Sequence, residues 1–256
     1  MSFTVFDGPI TDESKDILGF KSLAERISSS IVHSSFDTKN AFTISLEGKW
    51  GSGKTSLVNL IKKDLKNNHK DKIVIMEFNP WLVTDFEQLI KYFFSELLKE
   101  ITYESFDAKL KEDIWKDIKK FVSFFTPDKV QVGVGDLKVS YNPKDTLFKE
   151  KDETLLSLKI KINDYLKNLN RRIVIIIDDI DRLTDKETEA FFRLIKGIAD
   201  FNNIVYLLLY DKTVVAKSLE TFKEIVPLKV RNFKTPFMYQ AASCSNSSRL
   251  IITSSS

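Results

Sequence analysis

Residues 41 to 58 read AFTISLEGKWGSGKTSLV and contain a predicted strand, a glycine-rich turn and the start of a predicted helix. Residues 41 to 47 (AFTISLE) predict a β-strand, because apolar and β-branched side chains dominate them. After the turn, apolar residues recur with helical period at Leu57, Val58, Leu60, Ile61 and Leu65. A strand that leads through a tight turn into a helix is typical of an α/β protein.

The turn itself matches the P-loop pattern G-x-x-x-x-G-K-[ST], which binds phosphate groups. Glycines recur in it because the backbone N–H groups must point inward at the phosphate, where side chains would obstruct the approach. We predict that Lys54 places its charge on the β- and γ-phosphates and that Thr55 offers its hydroxyl to Mg²⁺. The predicted nucleotide-binding residues are consecutive: Gly48, Lys49, Trp50, Gly51, Ser52, Gly53, Lys54, Thr55 and Ser56.

A second chemical signal follows residues 173 to 177 (IVIII), the most apolar β-branched run of the chain. A buried strand that ends in an acid is the Walker B arrangement, in which the carboxylate holds Mg²⁺, usually through a water. Asp178 is therefore the predicted metal ligand, together with Thr55. Asp179 is placed to orient or deprotonate the attacking water, so the predicted catalytic residues are Lys54 and Asp179. The alternative is that these acids only cap a turn.

Two further segments predict strands of the same sheet. Residues 73 to 78 (IVIMEF) end at Asn79-Pro80, and residues 204 to 210 (IVYLLLY) form another apolar run. Thr84-x-x-Glu87 and Thr184-x-x-Glu187 are capping-box patterns that predict helix starts. Strands that alternate with helices predict an α/β fold, a three-layer sandwich around a central parallel sheet with right-handed crossovers.

The middle of the chain, from about 83 to 170, reads as a mainly helical insertion between the two motifs. Helical periodicity predicts helices around 86–101, 108–125 and 153–169, and alternating apolar residues predict a hairpin near 130–141. We therefore expect one nucleotide-binding domain over residues 1–222. Residues 223–256 form an irregular, serine-rich tail, which reads as a disordered terminus or as a chain cut or shifted away from its natural continuation.

Composition excludes several classes of protein. With 43% hydrophobic and 29% charged residues, the chain is neither disordered nor collagen-like. No apolar run is long enough to span a membrane, and early acidic residues argue against a signal peptide. The single cysteine, Cys244, fits a cytoplasmic location. The net charge of +3 originates in the tail, where six basic and two acidic residues follow from Lys217 onward, so there is no strong nucleic-acid signal.

Three other polar residues are weaker candidates. Asp211 follows a predicted strand, where it would either sense the γ-phosphate or cap the helix that starts at Lys212. Arg182 and Arg193 would offer charge to a transition state, but a solvated or salt-bridged position is the more common fate of such arginines.

Four motifs together resemble the KAP family of P-loop NTPases over roughly residues 5 to 222. They are the loop Gly48–Ser56, Phe78-Asn79-Pro80-Trp81, Asp178-Asp179-Ile180-Asp181-Arg182, and Leu209-Tyr210-Asp211 with the residues after it. The opening Asp7-Gly8-Pro9 and Asp16 to Phe20 are also similar to the approach to the nucleotide in that family.

This resemblance implies an ATPase domain of the additional-strand class with a helical insertion. Many members carry transmembrane helices in the insertion, which this sequence lacks. Bacterial relatives are associated with exclusion of phage, and animal relatives with membrane-linked signalling scaffolds. The family usually continues into a helical region that covers the nucleotide, whereas here the pattern ends near Phe222.

Three functions remain open from the sequence. The leading hypothesis is a Mg²⁺-dependent ATPase that drives a conformational switch, with a protein partner or a second copy of the chain. The alternative is a nucleotide-binding scaffold or switch with negligible turnover. A small-molecule kinase is the third, but the tail offers only Arg231 and Arg249 for the arginine-rich lid of such kinases. ATP is inferred over GTP from the resemblance and from the lack of an Asn-Lys-x-Asp motif.

Overall fold

The computed structural model describes residues 8–33, 40–103, 108–126, 130–134, 137–141, 154–223, 239–240 and 251–255. The strands are β1 (Phe42–Glu47), β2 (Ile73–Glu77), β3 (Val130–Val134), β4 (Leu137–Tyr141), β5 (Arg172–Ile177), β6 (Ile204–Tyr210), β7 (Tyr239–Gln240) and β8 (Ile251–Ser255). The α-helices are α1 (Phe20–His33), α2 (Lys54–Asn68), α3 (Phe86–Tyr103), α4 (Ala108–Ser123), α5 (Leu155–Lys167), α6 (Asp185–Arg193) and α7 (Lys212–Lys223). A π-helical turn, Leu194–Ile198, continues α6.

Four parallel strands form the centre of the main sheet in the order β2-β5-β6-β1. Strand β6 therefore lies between β1, which leads into the glycine-rich turn, and β5, which leads into the acidic motif. This is the additional-strand arrangement that the resemblance implied. The predicted α/β fold with a central parallel sheet is confirmed.

The sheet has a hydrophobic core on each face. Strand β5 shows why, because its isoleucines and valine are buried on both sides: Ile173, Ile175 and Ile177 face one core, and Val174 and Ile176 face the other. The second core also contains the inward side chains of α1 and α2, including Ile31, Leu57 and Ile61. The two cores make this a three-layer structure.

The insertion packs on the other face through aromatic side chains. Phe93 and Phe94 of α3 are fully buried, as is Phe121 of α4. Phe201, just before β6, lies 6.1 Å from Phe94 and 5.6 Å from Phe121 between ring centroids, in edge-to-face geometry. The insertion and the sheet thus share one continuous core.

Helix starts follow local capping chemistry, with one correction. Thr184 and Glu187 form the predicted capping box at the start of α6. The predicted box Thr84-x-x-Glu87 is wrong, because the carboxylate of Asp85 accepts the backbone N–H of Gln88 at 3.0 Å. A short carboxylate one residue later reaches the third amide of α3 and takes the capping role from Thr84.

Among the described residues, three short antiparallel pairings accompany the four parallel strands. Strands β3 and β4 pair from Val130↔Tyr141 to Val134↔Leu137, and residues 135 and 136, for which the sequence predicts a turn, lie outside the described residues. Strand β8 pairs antiparallel with β1, and β7 pairs with β8. The other residues of the tail after 223 lie outside the described part, and the boundaries 1–222 and 223–256 stay predictions.

Candidate nucleotide-binding site

The predicted site residues meet at one edge of the sheet, where the parallel strands end. The loop 48–55 follows β1, Asp178 and Asp179 follow β5, and Asp211 follows β6. Gly48 donates its backbone N–H to the carbonyl of Tyr210 at 3.2 Å, which ties the loop to the end of β6. Ligands of open α/β sheets bind at this carboxyl edge.

Two glycines give the loop its curl. Gly51 and Gly53 have φ angles of 77° and 88°, in the left-handed region that side chains disfavour. A Cβ added at Gly53 would also lie 2.7 Å from Cε2 of Phe20. Gly53 is therefore required by backbone conformation and by the close approach of a phenylalanine ring.

The ammonium of Lys54 is held inside the curl. Lys54 is the first residue of α2 and is 9% exposed. Its Nζ donates to the carbonyls of Gly48 at 2.7 Å and Lys49 at 3.2 Å. This places a positive charge at the N-terminus of a helix of 15 residues, where the helix dipole also favours an anion.

The two predicted metal ligands touch each other. Thr55 Oγ1 donates to Oδ2 of Asp178 at 3.1 Å, across 123 residues of sequence. A hydroxyl and a carboxylate that converge in this way are oxygen ligands of the kind that Mg²⁺ prefers. Among the described residues, no three His, Cys, Asp or Glu side chains cluster as a metal site. The donor set fits Mg²⁺, which commonly takes one or two protein ligands beside phosphate and water.

Asp179 has a different environment from Asp178. Its backbone is left-handed, with φ 60°, and its N–H donates to Oδ1 of Asp178 at 2.8 Å. Its own Oδ2 lies 3.1 Å from Nη2 of Arg182. Burial and then the charge of Asp178 raise the pKa of Asp179, and Arg182 opposes them. The two adjacent carboxylates thus have separate partners, Thr55 for Asp178 and Arg182 for Asp179.

Asp211 has the capping role, one of the two roles that the sequence left open. Its carboxylate caps α7, since Oδ1 accepts the N–H of Thr213 at 2.9 Å and its hydroxyl at 2.6 Å. These hydrogen bonds lower the pKa of Asp211, and the charges of Lys54 and Lys49 lower it further. The capping carboxylate is therefore within electrostatic reach of the loop lysine.

Residues 20–233 match the model of a protein family that is described as "KAP family P-loop domain". The chain belongs to the KAP family. The phage T7 exclusion protein of Escherichia coli strain K12 is 26% identical to it over 237 residues, which are 84% of this chain and 31% of that protein. The chain thus spans about a third of the length of this relative.

Two solved structures are similar at low levels. One is the Aeropyrum pernix ORC2 protein in ADPNP–ADP complexes, with a TM-score of 0.40 and 14% identity over 82% of this chain and 44% of that one. The other is Drosophila ORC bound to DNA, with a TM-score of 0.39 and 13% identity over 75% and 37% of the two chains. Similarities of this size say nothing about function.

The segment that leads into α1 runs along the loop and the start of α2. Ile10 donates its N–H to Ser56 Oγ at 3.2 Å and accepts the side-chain amide of Asn59 at 3.1 Å. Phe20 packs on Gly53. Trp50, included in the predicted binding set, projects from the loop with 85% of its surface exposed.

Both arginines among the predicted candidates have a partner within the protein. Arg182 pairs with Asp179, and Arg193 lies over the ring of Phe86, 4.9 Å from its centroid. Both positions fit the structural role that the sequence favoured.

Sequence reasoning missed three residues beside the loop. Glu47, the last residue of β1, is 5% exposed. Its Oε2 lies 3.2 Å from Nζ of Lys212, and its Oε1 accepts the hydroxyl of Tyr210 at 3.3 Å. Burial and, to a smaller extent, Glu47 raise the pKa of Tyr210 to about 12, and a hydrogen bond with Ser45 opposes them. The available signal was an acid at the buried end of a strand, directly before a loop that must bind anions.

None of the described helices combines the length and the apolar character that a membrane span requires.

Proposed function

We propose that this KAP domain is a Mg²⁺-dependent ATPase in which hydrolysis drives a conformational switch. The observation that carries the proposal is the hydrogen bond between Thr55 and Asp178, because it joins the end of the P-loop to the acid after β5. A phosphate loop alone would support binding. A phosphate loop coupled to a metal-binding acid supports chemistry at the γ-phosphate.

Each site residue has a role that its surroundings support. The loop amides of Gly48 to Ser56 and the ammonium of Lys54 hold the phosphates. Thr55 and Asp178 hold Mg²⁺, which neutralises phosphate charge when bound. Lys54 already donates to two carbonyl oxygens, and phosphate oxygens would take the place of these acceptors.

Asp179 is the proposed water-positioning acid. It follows the metal ligand at the strand end, and the pKa of its carboxyl is raised by burial and by Asp178. A raised pKa makes a carboxylate a better proton acceptor near neutral pH. Asp211 approaches the same region from β6, where its ionised carboxylate can accept a hydrogen bond from a water at the γ-phosphate.

Phosphate release from Mg-ATP tests the proposal. Wild-type protein should turn over, and Lys54→Ala should lose at least about 100-fold in rate, because the charge on the phosphates is gone. Lys186→Ala is the matched control, since it removes a lysine from the exposed surface of α6. Equal turnover by wild type and Lys54→Ala would refute hydrolysis at this site.

A nucleotide-binding switch without turnover is the second candidate. The ion pair between Asp179 and Arg182 favours it, because a carboxylate engaged by an arginine is less available to a water. In that case wild-type protein binds ATP in a Lys54-dependent manner, and no phosphate release above background is measured.

The biological role that we propose is a nucleotide-driven step in the exclusion of phage, carried out in the cytoplasm with a protein partner or a second copy of the chain. The support is the similarity to a phage T7 exclusion protein. Plating of phage T7 on E. coli that produces the chain tests this role. Fewer plaques with wild type than with Lys54→Ala are expected, and equal plating would contradict it.

A further inference from the structure

Glu47 is a buried acid at a position where a negative charge is unfavourable. It ends β1 and directly precedes the loop that binds phosphates. On its face of β1 the side chains are polar, namely Thr43, Ser45 and Glu47, whereas Ile44 and Leu46 face α1 and α2. A buried carboxylate needs a charged or hydrogen-bonding partner, and beside a triphosphate it would repel the ligand.

Two partners of Glu47 belong to the neighbouring strand and helix. Tyr210, the last residue of β6, donates its hydroxyl to Oε1, and Lys212, the first residue of α7, lies 3.2 Å from Oε2. The side chain of Glu47 is 7% exposed and that of Lys212 is 63% exposed. Asp211 lies between Tyr210 and Lys212 in the chain and caps α7. The positive charge of Lys54 helps to lower the pKa of Asp211.

These contacts fix where α7 begins relative to the phosphate loop. The hydroxyl of Tyr210 and the ammonium of Lys212 flank Asp211 in the chain, and both bind the same carboxylate. The backbone carbonyl of Tyr210 also accepts the N–H of Gly48. Asp211 is therefore held on both sides by contacts with residues 47 and 48.

We propose that Glu47 is a positioning residue, which acts through Lys212 and Tyr210 to hold Asp211 beside Lys54 and the γ-phosphate. The lysine also cancels the charge of Glu47 next to the bound nucleotide. The catalytic part of this inference rests on the proposed ATPase function, whereas the structural part does not.

Substitutions of the pair have different expected effects on kcat and KM. Glu47→Gln keeps the shape and loses the charge, so kcat should fall between about threefold and tenfold while KM stays within about twofold. Lys212→Met should lower kcat similarly and also raise KM, because it removes the positive charge that offsets the Glu47 carboxylate beside the phosphates.

The double variant Glu47→Gln/Lys212→Met tests whether Glu47 and Lys212 act as a pair or affect the site independently of each other. It should restore KM to the wild-type range without restoring kcat, since the repulsive charge is gone but α7 is still unanchored. Lys212→Arg keeps the ion pair and should retain kcat. Lys217→Met is the matched control, because it removes a lysine from the exposed surface of the same helix and should change neither constant.

Amide hydrogen exchange provides a readout that does not depend on turnover. The N–H groups of Thr213 and Val215 are bonded to Asp211, and they should exchange faster in Glu47→Gln and in Lys212→Met than in wild type or Lys217→Met.

If wild type does not hydrolyse ATP, the proposed function fails, and exchange at these two amides still decides whether Glu47 holds α7. Unchanged exchange in both variants would overturn the inference. Faster exchange with an unchanged kcat in an active enzyme would overturn its catalytic part. Additive effects of the two substitutions on KM would show that Lys212 does not compensate Glu47.

Discussion

The two neighbouring acids that follow β5 have different contacts. Asp178 accepts hydrogen bonds from Thr55 Oγ1 at one carboxylate oxygen and from the N–H of Asp179 at the other, so the orientation of the carboxylate is fixed. Asp179 has a left-handed backbone and pairs with Arg182. One acid is thus oriented toward the P-loop threonine, and its neighbour keeps a separate position and a raised pKa. Paired carboxylates with different environments are the usual basis for different roles in one site.

Gly53 and Gly51 offer a matched pair of substitutions at this scale. Both have positive φ, so alanine at either position strains the backbone, at a cost of about 1 to 3 kcal/mol. A Cβ at Gly53 also meets the ring of Phe20 at 2.7 Å, whereas a Cβ at Gly51 meets nothing within 4 Å. We expect Gly53→Ala to lower the free energy of unfolding more than Gly51→Ala in urea titrations. An equal loss would show that Phe20 yields without cost.

At the scale of the element, sequence patterns predict strands and helices well, but they do not predict which strands lie side by side in the sheet. The apolar run at 173–177 and the capping box at Thr184 lie where the structure has β5 and α6. The order of the strands could not be read from any pattern, because pairing depends on contacts between distant segments. For the same reason the phosphate loop was evident in the sequence, and the ion pair of Glu47 with Lys212 was not.

The correction at α3 shows how finely local patterns compete. Thr84 and Asp85 are both good N-cap residues, and Thr84 has a glutamate at the spacing of a capping box. The structure uses Asp85. The sequence pattern therefore predicts that a helix starts here. Which residue is the N-cap depends on which side chain accepts the backbone N–H of the first turn, and that side chain is Asp85.

Helix caps supply a prediction at the same scale. Thr184→Ala and Asp85→Ala should each cost about 1 kcal/mol in the free energy of unfolding, since each removes a cap. Thr84→Ala should cost less than about 0.5 kcal/mol, because the adjacent aspartate caps α3. Chemical denaturation of the three variants measures these values. A larger loss for Thr84→Ala than for Asp85→Ala would contradict the assignment.

For the whole molecule, the insertion and the sheet share one core. The side chains of α3, α4 and α5 that face inward belong to the same buried cluster as those of β5 and β6. Through Phe201, the core brings the segment before β6 into contact with the insertion, and Asp211 follows the other end of that strand. We therefore expect one cooperative unfolding transition for the sheet and insertion.

Phe201 tests this shared core. Phe201→Ala should lower the free energy of unfolding by about 3 to 5 kcal/mol, because the ring is fully buried between the sheet and the insertion. Phe124→Ala is the control, since 54% of Phe124 is exposed. Calorimetry should show a single transition that shifts in Phe201→Ala. Two transitions in wild type would contradict a common core.

We propose that Asp179 positions the water for hydrolysis of ATP bound by the loop and by Asp178. Single-turnover cleavage of Mg-ATP by wild type and by Asp179→Asn, with nucleotide affinity measured on the same samples, tests it most directly. We expect equal affinity within about twofold and cleavage at least about 100-fold slower in Asp179→Asn. Cleavage at the wild-type rate by Asp179→Asn would contradict it.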